Sequence, residues 1–176
     1  LEAARRGECD LAGAHLLDPG TDTYNSPFLD PTLELVPGYG RMQGIVHRRG
    51  DPRLEGRPPE EALAQPGLTL VNRNRGSGTR ALIDQLLRGS RPPGYLSEAR
   101  SHNAVAAAVA QGRADWGVAI RSVAEAQGLA FRPLREERYD FFVPRSRLER
   151  PAVRAFVALL NDPAVREGLR ALGMLP

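Results

Sequence analysis

Lysine is absent from this sequence: all 24 basic residues are arginine. A genome-wide codon bias explains that more simply than selection at each position. The arginines are scattered rather than massed, which argues against a nucleic-acid face in this chain. Cysteine is nearly absent as well. Cys9 stands alone, so no disulfide can close within the chain, and the compartment stays open. No run approaches the about 18 apolar residues that a membrane-crossing helix requires. Histidine, cysteine and acidic residues do not fall at metal-site spacing; Cys9, Asp10 and His15 match no such pattern, so no metal and no cofactor is expected. The Walker A loop, the G-x-G-x-x-G fingerprint and the G-x-S-x-G elbow are all missing. A triad of Ser77, Asp115 and either His15 or His102 has no spacing to support it. A hydrolase therefore ranks behind a binding module, and no enzyme activity is expected.

What is present suits a globular chain. There are 176 residues, 41% hydrophobic and 26% charged, with a net charge of +3. That length makes one ordinary domain or two small lobes with a real core. The opening Leu1-Glu2-Ala3-Ala4-Arg5-Arg6-Gly7 reads as the last turns of a helix stopped by glycine. We therefore expect an N-terminal portion upstream of residue 1, and the lack of a signal-peptide pattern carries no weight.

The organising stretch is 68–87. Leu68-Thr69-Leu70-Val71 is a short apolar run that reads as a buried strand, and Leu82, Ile83, Leu86 and Leu87 recur at helical spacing. Between them lies the turn Gly76-Ser77-Gly78-Thr79. Strand, glycine-rich turn and helix together aim free backbone N–H groups at an anion. Gly76 and Gly78 tolerate positive φ and close approach. Ser77 and Thr79 supply hydroxyls and a helix cap. Arg73, Arg75 and Arg80 supply planar cationic donors, with Arg73 ranked above Arg75. A plain capped helix start is the competing account of the same residues.

Along the rest of the chain, strands are expected at 10–14, 33–36, 43–47, 116–120, 131–134 and 139–143. The Pro37-Gly38-Tyr39-Gly40 stretch is expected to split the second from the third. Residues 15–20 read as a turn and 21–31 as a polar loop. Short or amphipathic helices are expected from Pro58-Pro59, over 102–111, after Ser122 with Glu125 as a capping box, and from Pro151, restarting at Asp162-Pro163. Alternating strands and helices argue for α/β layers and a mainly parallel sheet. Gly7-Glu8-Cys9-Asp10-Leu11-Ala12 also echoes Gly112-Arg113-Ala114-Asp115-Trp116-Gly117. The echo is either a common helix stop or a sign of two lobes of similar build.

These residues resemble a known group. Arg73-x-x-x-Ser77-Gly78-Thr79 is similar to the turn of tungstate- and phosphate-binding proteins of the type 2 periplasmic binding fold. The stretches 7–18, 24–28, 72–80, 101–110, 112–115 and 137–140 resemble the molybdate-binding-like domain family, so the likeness covers nearly the whole chain. Members of that family are often fused to a helix-turn-helix or to a molybdopterin-synthesis protein. The resemblance implies a two-lobed type 2 periplasmic binding protein-like fold whose N-terminal strand and helix are missing here. Residues 1–59 and 121–176 would form the first lobe and 60–120 the second, with hinges near 47–59 and 120–135.

The resulting expectation is a domain that binds or senses a small oxyanion, molybdate or tungstate first, as a solute receptor or as the sensor of a transcription regulator for this or another anion. Arg73, Gly76, Ser77, Gly78, Thr79 and Arg80 would supply one wall, and His15, Tyr24 and Asn25, with Gln43, the other. A helix end contributes about 0.3–2 kcal/mol, whereas micromolar affinity needs about 8 kcal/mol, so a second wall and lobe closure are expected. DNA contact would come only through a fused domain outside this chain. A cytoplasmic sensor is ranked ahead of a periplasmic receptor, whose partner would be an ABC transporter; a homodimer fits either.

Overall fold

The computed structural model describes residues 1–18, 20–63 and 65–176; Pro19, within the expected 15–20 turn, lies outside them. The chain divides into two compact units, one of Leu1–Arg41 with Glu136–Pro176 and one of Met42–Arg135. Two 15-residue strands, β4 (Leu33–His47) and β8 (Ala130–Pro144), run through both.

The second unit holds α2 (Pro59–Leu63), β5 (Leu70–Arg73), α3 (Gly78–Leu87), β6 (Glu98–Ala99), α4 (His102–Ala110), β7 (Trp116–Ile120) and α5 (Arg121–Ala126). β5 pairs in parallel with β6 and with β7, while the end of β4 pairs antiparallel with β7, Gln43 facing Ile120 and His47 facing Trp116. Successive strand residues point to opposite faces. Ile45, Leu70, Trp116 and Val118 pack with Leu82, Ile83 and Leu87 of α3. Val46, Val71 and Ala119 pack with Val105, Ala106 and Val109 of α4. A sheet buried on both faces explains why β5 and β7 read as unbroken apolar runs. Gly117 is the close-approach point: a Cβ there would stand 2.6 Å from Val105 Cγ1 and 2.9 Å from Val71 Cγ1.

The first unit holds α1 (Glu2–Arg5), β1 (Ala12–Ala14), β2 (Leu17–Asp18), β3 (Thr23–Tyr24), α6 (Pro151–Asn161), α7 (Pro163–Ala171) and β9 (Met174–Leu175). β1 pairs antiparallel with β8, and β9 antiparallel with β4. Asp162 caps α7, its carboxylate accepting from the amides of Ala164 and Val165 at 2.8 and 3.2 Å.

Five expectations change. The sheet is mixed, with parallel pairing only around β5 among the described residues. Residues 33–47 form one strand, because Gly38 lies against β8 instead of turning the chain: a Cβ there would sit 2.1 Å from the Tyr139 carbonyl oxygen. Residues 130–144 likewise form one strand. The 21–31 loop contains β3, paired with β2, and a 3-10 turn at Ser26–Phe28. Finally, α5 begins at Arg121 with no side-chain cap, so Ser122 lies inside it and forms no capping box.

Candidate anion-binding site

β5 delivers the chain to the 74–77 turn. The Asn74 amide closes on the Ala99 carbonyl at 3.2 Å, and Gly76 then takes φ +82°. Ser77 is extended and caps α3: its Oγ accepts from the Arg80 amide at 3.2 Å and donates to the Asn74 carbonyl at 3.0 Å. The hydroxyl of Ser77 is thereby committed to the turn. The amides of Arg75, Gly76, Gly78 and Thr79 have no acceptor among the described residues. Gly78 and Thr79 are the first residues of a ten-residue helix, where the macrodipole is positive. Thr79 is fully buried, yet its Oγ1 has no hydrogen-bond partner among the described residues. A buried hydroxyl in that state costs about 1–3 kcal/mol unless something completes it.

The arginines have different destinations. Arg73 is buried, with Nε donating to the Ala99 carbonyl at 3.2 Å and Nη1 standing 3.2 Å from His102 Nδ1. His102 opens α4, whose cap is Ser101, so Arg73 links the end of β5 to the start of α4. His102 drew attention in the sequence only as a helix start and as one arm of a weak triad. Arg80 is also buried, but its side chain leaves the turn. It donates to Asp84 at 3.0 and 3.1 Å, to Glu98 at 3.1 Å and to the Arg73 carbonyl at 3.2 Å. Burial works against its charge, but Tyr95 and Asp84 outweigh that and strengthen it. The i,i+4 spacing of Arg80 and Asp84 was the available signal for this pairing. Arg75 is largely solvent-exposed and stands 3.7 Å from Glu98.

The remaining predicted residues divide between the units. Gln43, buried on β4, belongs to the second. In the first unit, the His15 ring stacks on Tyr139 with centroids 5.8 Å apart, and Nδ1 lies 3.3 Å from the buried Glu137 carboxylate. Arg41 pairs with the same carboxylate and sits 4.6 Å above the Tyr139 ring. Tyr39 stacks on Tyr139 as well, and burial pushes its hydroxyl above the usual range. Tyr24 lies on β3 opposite Leu17. Asn25 is fully buried with φ +60°; its Oδ1 accepts from the Leu16 amide, and its Nδ2 donates to Asp140 at 2.8 Å and to the Arg138 carbonyl. Its amide thus fastens the loop to β8.

A family model described as the PBP superfamily domain matches residues 1–161. The uncharacterized protein YvgK of Bacillus subtilis (strain 168) is 29% identical over 178 residues, covering 95% of this chain and 56% of YvgK. The chain thus spans about half the length of that relative. Among solved structures, an OxyR mutant of Corynebacterium glutamicum aligns with a TM-score of 0.63 at 20% identity, over 98% of this chain and 53% of that one. The CcmR regulatory domain of Synechocystis PCC6803, in complex with 2-PG, aligns with a TM-score of 0.63 at 18% identity, over 90% and 75%. An ABC-type phosphate transport receptor from Vibrio cholerae aligns with a TM-score of 0.62 at 12% identity, over 99% and 83%. These likenesses show a mixed α/β fold of the type 2 periplasmic-binding kind.

Proposed function

The chain belongs to the family of PBP superfamily domains, and from that premise we propose that it binds a small tetrahedral oxyanion, molybdate or tungstate, at the N-terminal end of α3. The observation that carries the reading is the fully buried Thr79, its hydroxyl without a partner beside the acceptor-less amides of Gly78 and Thr79. A fully deprotonated dianion has only acceptors to offer, and every one of these groups can donate. Gly76 borders open space, since a Cβ there would meet nothing within 4 Å. Ser77 shapes the turn through its cap, and Arg73 brings positive charge from β5. Hydrogen bonds to a charged group contribute about 1.5–3 kcal/mol each. Four of them reach the micromolar range only in gross terms, before the cost of association.

In this reading the chain is the ligand-sensing or solute-binding part of a larger protein, and no catalytic step is assigned to it. Isothermal titration with molybdate, tungstate, sulfate and phosphate tests it. Molybdate or tungstate binds tightest, and Thr79→Val and Arg73→Ala each weaken binding by about tenfold or more. Unchanged affinity in both variants overturns the assignment.

A further inference from the structure

The second unit contains a cavity of about 340 Å³ that borders the α3 turn at Arg75 and Gly76 and extends away from it along Arg80, Asp84, Arg91, Tyr95 and Leu96. Its walls are cationic and aromatic. The Arg80 guanidinium lies 4.6 Å from the Tyr95 ring centroid and that of Arg91 lies 5.6 Å from it. The Tyr95 hydroxyl donates to Asp84 at 3.0 Å, and the same carboxylate binds Arg80. Arg80 and Asp84 therefore neutralise each other. Arg91 has no carboxylate within ion-pair distance among the described residues, and Arg75 has only Glu98 at 3.7 Å. Two guanidiniums thus face the cavity with their charge largely uncompensated.

The wall that carries Arg91 and Tyr95 is held in place. The Leu70 amide donates to the Pro93 carbonyl at 2.8 Å, the Asn72 amide to the Ser97 carbonyl at 2.8 Å, and the Asn72 side chain to the Tyr95 carbonyl at 3.0 Å. Gly94 has φ +80°, and a Cβ there would stand 2.0 Å from the Leu70 carbonyl oxygen. The segment is clamped against β5 with its ring and guanidinium already placed, which lowers the ordering cost of binding. Leu96, 76% exposed, adds an apolar edge.

We propose that this cavity is a second ligand site, adjoining the α3 turn and centred on Arg91 and Tyr95, that takes a small aromatic anion. The anionic group pairs with Arg75 and Arg91, and the ring lies against Tyr95, Leu96 and the guanidinium planes. A bare tetrahedral oxyanion would use the charge but leave the ring, the leucine and most of the volume unfilled. The cavity size falls at the lower end of the range for organic ligands.

The test uses the whole chain with phenyl phosphate as probe and inorganic phosphate, phenol and molybdate as comparisons, followed by titration calorimetry and by NMR of the arginine Nε and Tyr95 ring signals. Phenyl phosphate binds more tightly than phosphate or phenol and moves the Arg91 and Tyr95 signals. Arg91→Gln, at an exposed position outside the turn, weakens phenyl phosphate by about fivefold or more while molybdate affinity stays unchanged, and Arg75→Gln also weakens phenyl phosphate. Thr79→Val does the reverse, which separates this site from the turn. The proposal fails if phenyl phosphate shows no binding at millimolar concentration, if both arginine variants bind it as the parent does, or if Thr79→Val abolishes it.

Discussion

Arg53 donates to Asp115 Oδ1 at 2.8 Å while the Thr69 amide donates to Oδ2 of the same carboxylate at 2.8 Å. Arg48 adds a third bond at 3.1 Å and also reaches the carbonyls of Val109 and Ala114. One side chain thus joins the starts of the neighbouring strands β5 and β7 to the loop after β4. Burial pushes the Asp115 carboxyl up, but the Thr69 amide and the two guanidiniums outweigh it and hold the group below the usual carboxylate range.

That depression makes stability depend on pH. In the unfolded chain the carboxyl titrates near its ordinary value of about 3.9. The unfolded state therefore binds the proton first as acid is added, and the contribution present above about pH 4 is lost as pH falls through the depressed range. Asp115→Asn should cost about 1–3 kcal/mol at neutral pH and flatten the acid limb. Urea unfolding followed by the fluorescence of Trp116, fully buried and the only tryptophan, reads both effects. Identical dependence on pH in parent and variant would contradict the linkage.

Thr79→Val separates an anion site from a plain helix start. Valine matches threonine in shape and removes a buried hydroxyl that has no partner, so without ligand the variant should be as stable as the parent or up to about 1 kcal/mol more stable. The parent should gain thermal stability with molybdate, because a ligand that binds only the folded state stabilises it by mass action. The variant should lose most of that gain. A melting curve with and without molybdate checks both halves. A variant that is less stable alone yet keeps the full ligand shift would mean that the hydroxyl serves the fold.

The 74–79 turn was legible in the sequence because its chemistry is local: a glycine at φ +82°, a serine cap and a helix face lie within a dozen residues. The helix stops in the 7–12 and 112–117 echo were local too, whereas the partners of its aspartates were not. Gly7 and Gly112 both take positive φ, and Asp10 and Asp115 each bind two arginines, Arg147 with Arg150 and Arg48 with Arg53. The long strands were not legible, since Pro37-Gly38-Tyr39-Gly40 carries the signature of a turn and only a partner strand about a hundred residues away reveals its purpose. The fastening role of Asn25 likewise depends on Asp140, 115 residues along the chain, and the second partner of Arg80, Glu98, lies 18 residues on, beyond its local pairing with Asp84.

Gly38 and Gly76 therefore respond differently to alanine. At Gly38 the new Cβ would fall 2.1 Å from a backbone oxygen of β8, so Gly38→Ala should lower stability by about 3 kcal/mol or more. At Gly76 the space is open and only the positive φ resists, so Gly76→Ala should cost about 1–2 kcal/mol. Urea midpoints of the two variants rank them. The opposite order would restore Gly38 to a turn.

Arg41 and Glu137 pose a sharper test, because Glu137 is fully buried and Arg41, half-buried, pairs with it. Glu137 is fully shielded and the Arg41 side chain is 12% exposed. Removing one member of a buried pair weakens the compensation of the other's charge and costs up to about 3–5 kcal/mol, whereas replacing both with apolar groups of similar size can be neutral. Arg41→Met should therefore destabilise strongly, even with His15 still 3.3 Å from the carboxylate. The double variant Arg41→Met with Glu137→Leu should recover much of that loss. The recovery should be incomplete, since Arg41 also packs on the Tyr139 ring. A double-mutant cycle by urea denaturation measures the coupling directly, and simple additivity of the two single losses would show that the pair contributes as two independent contacts.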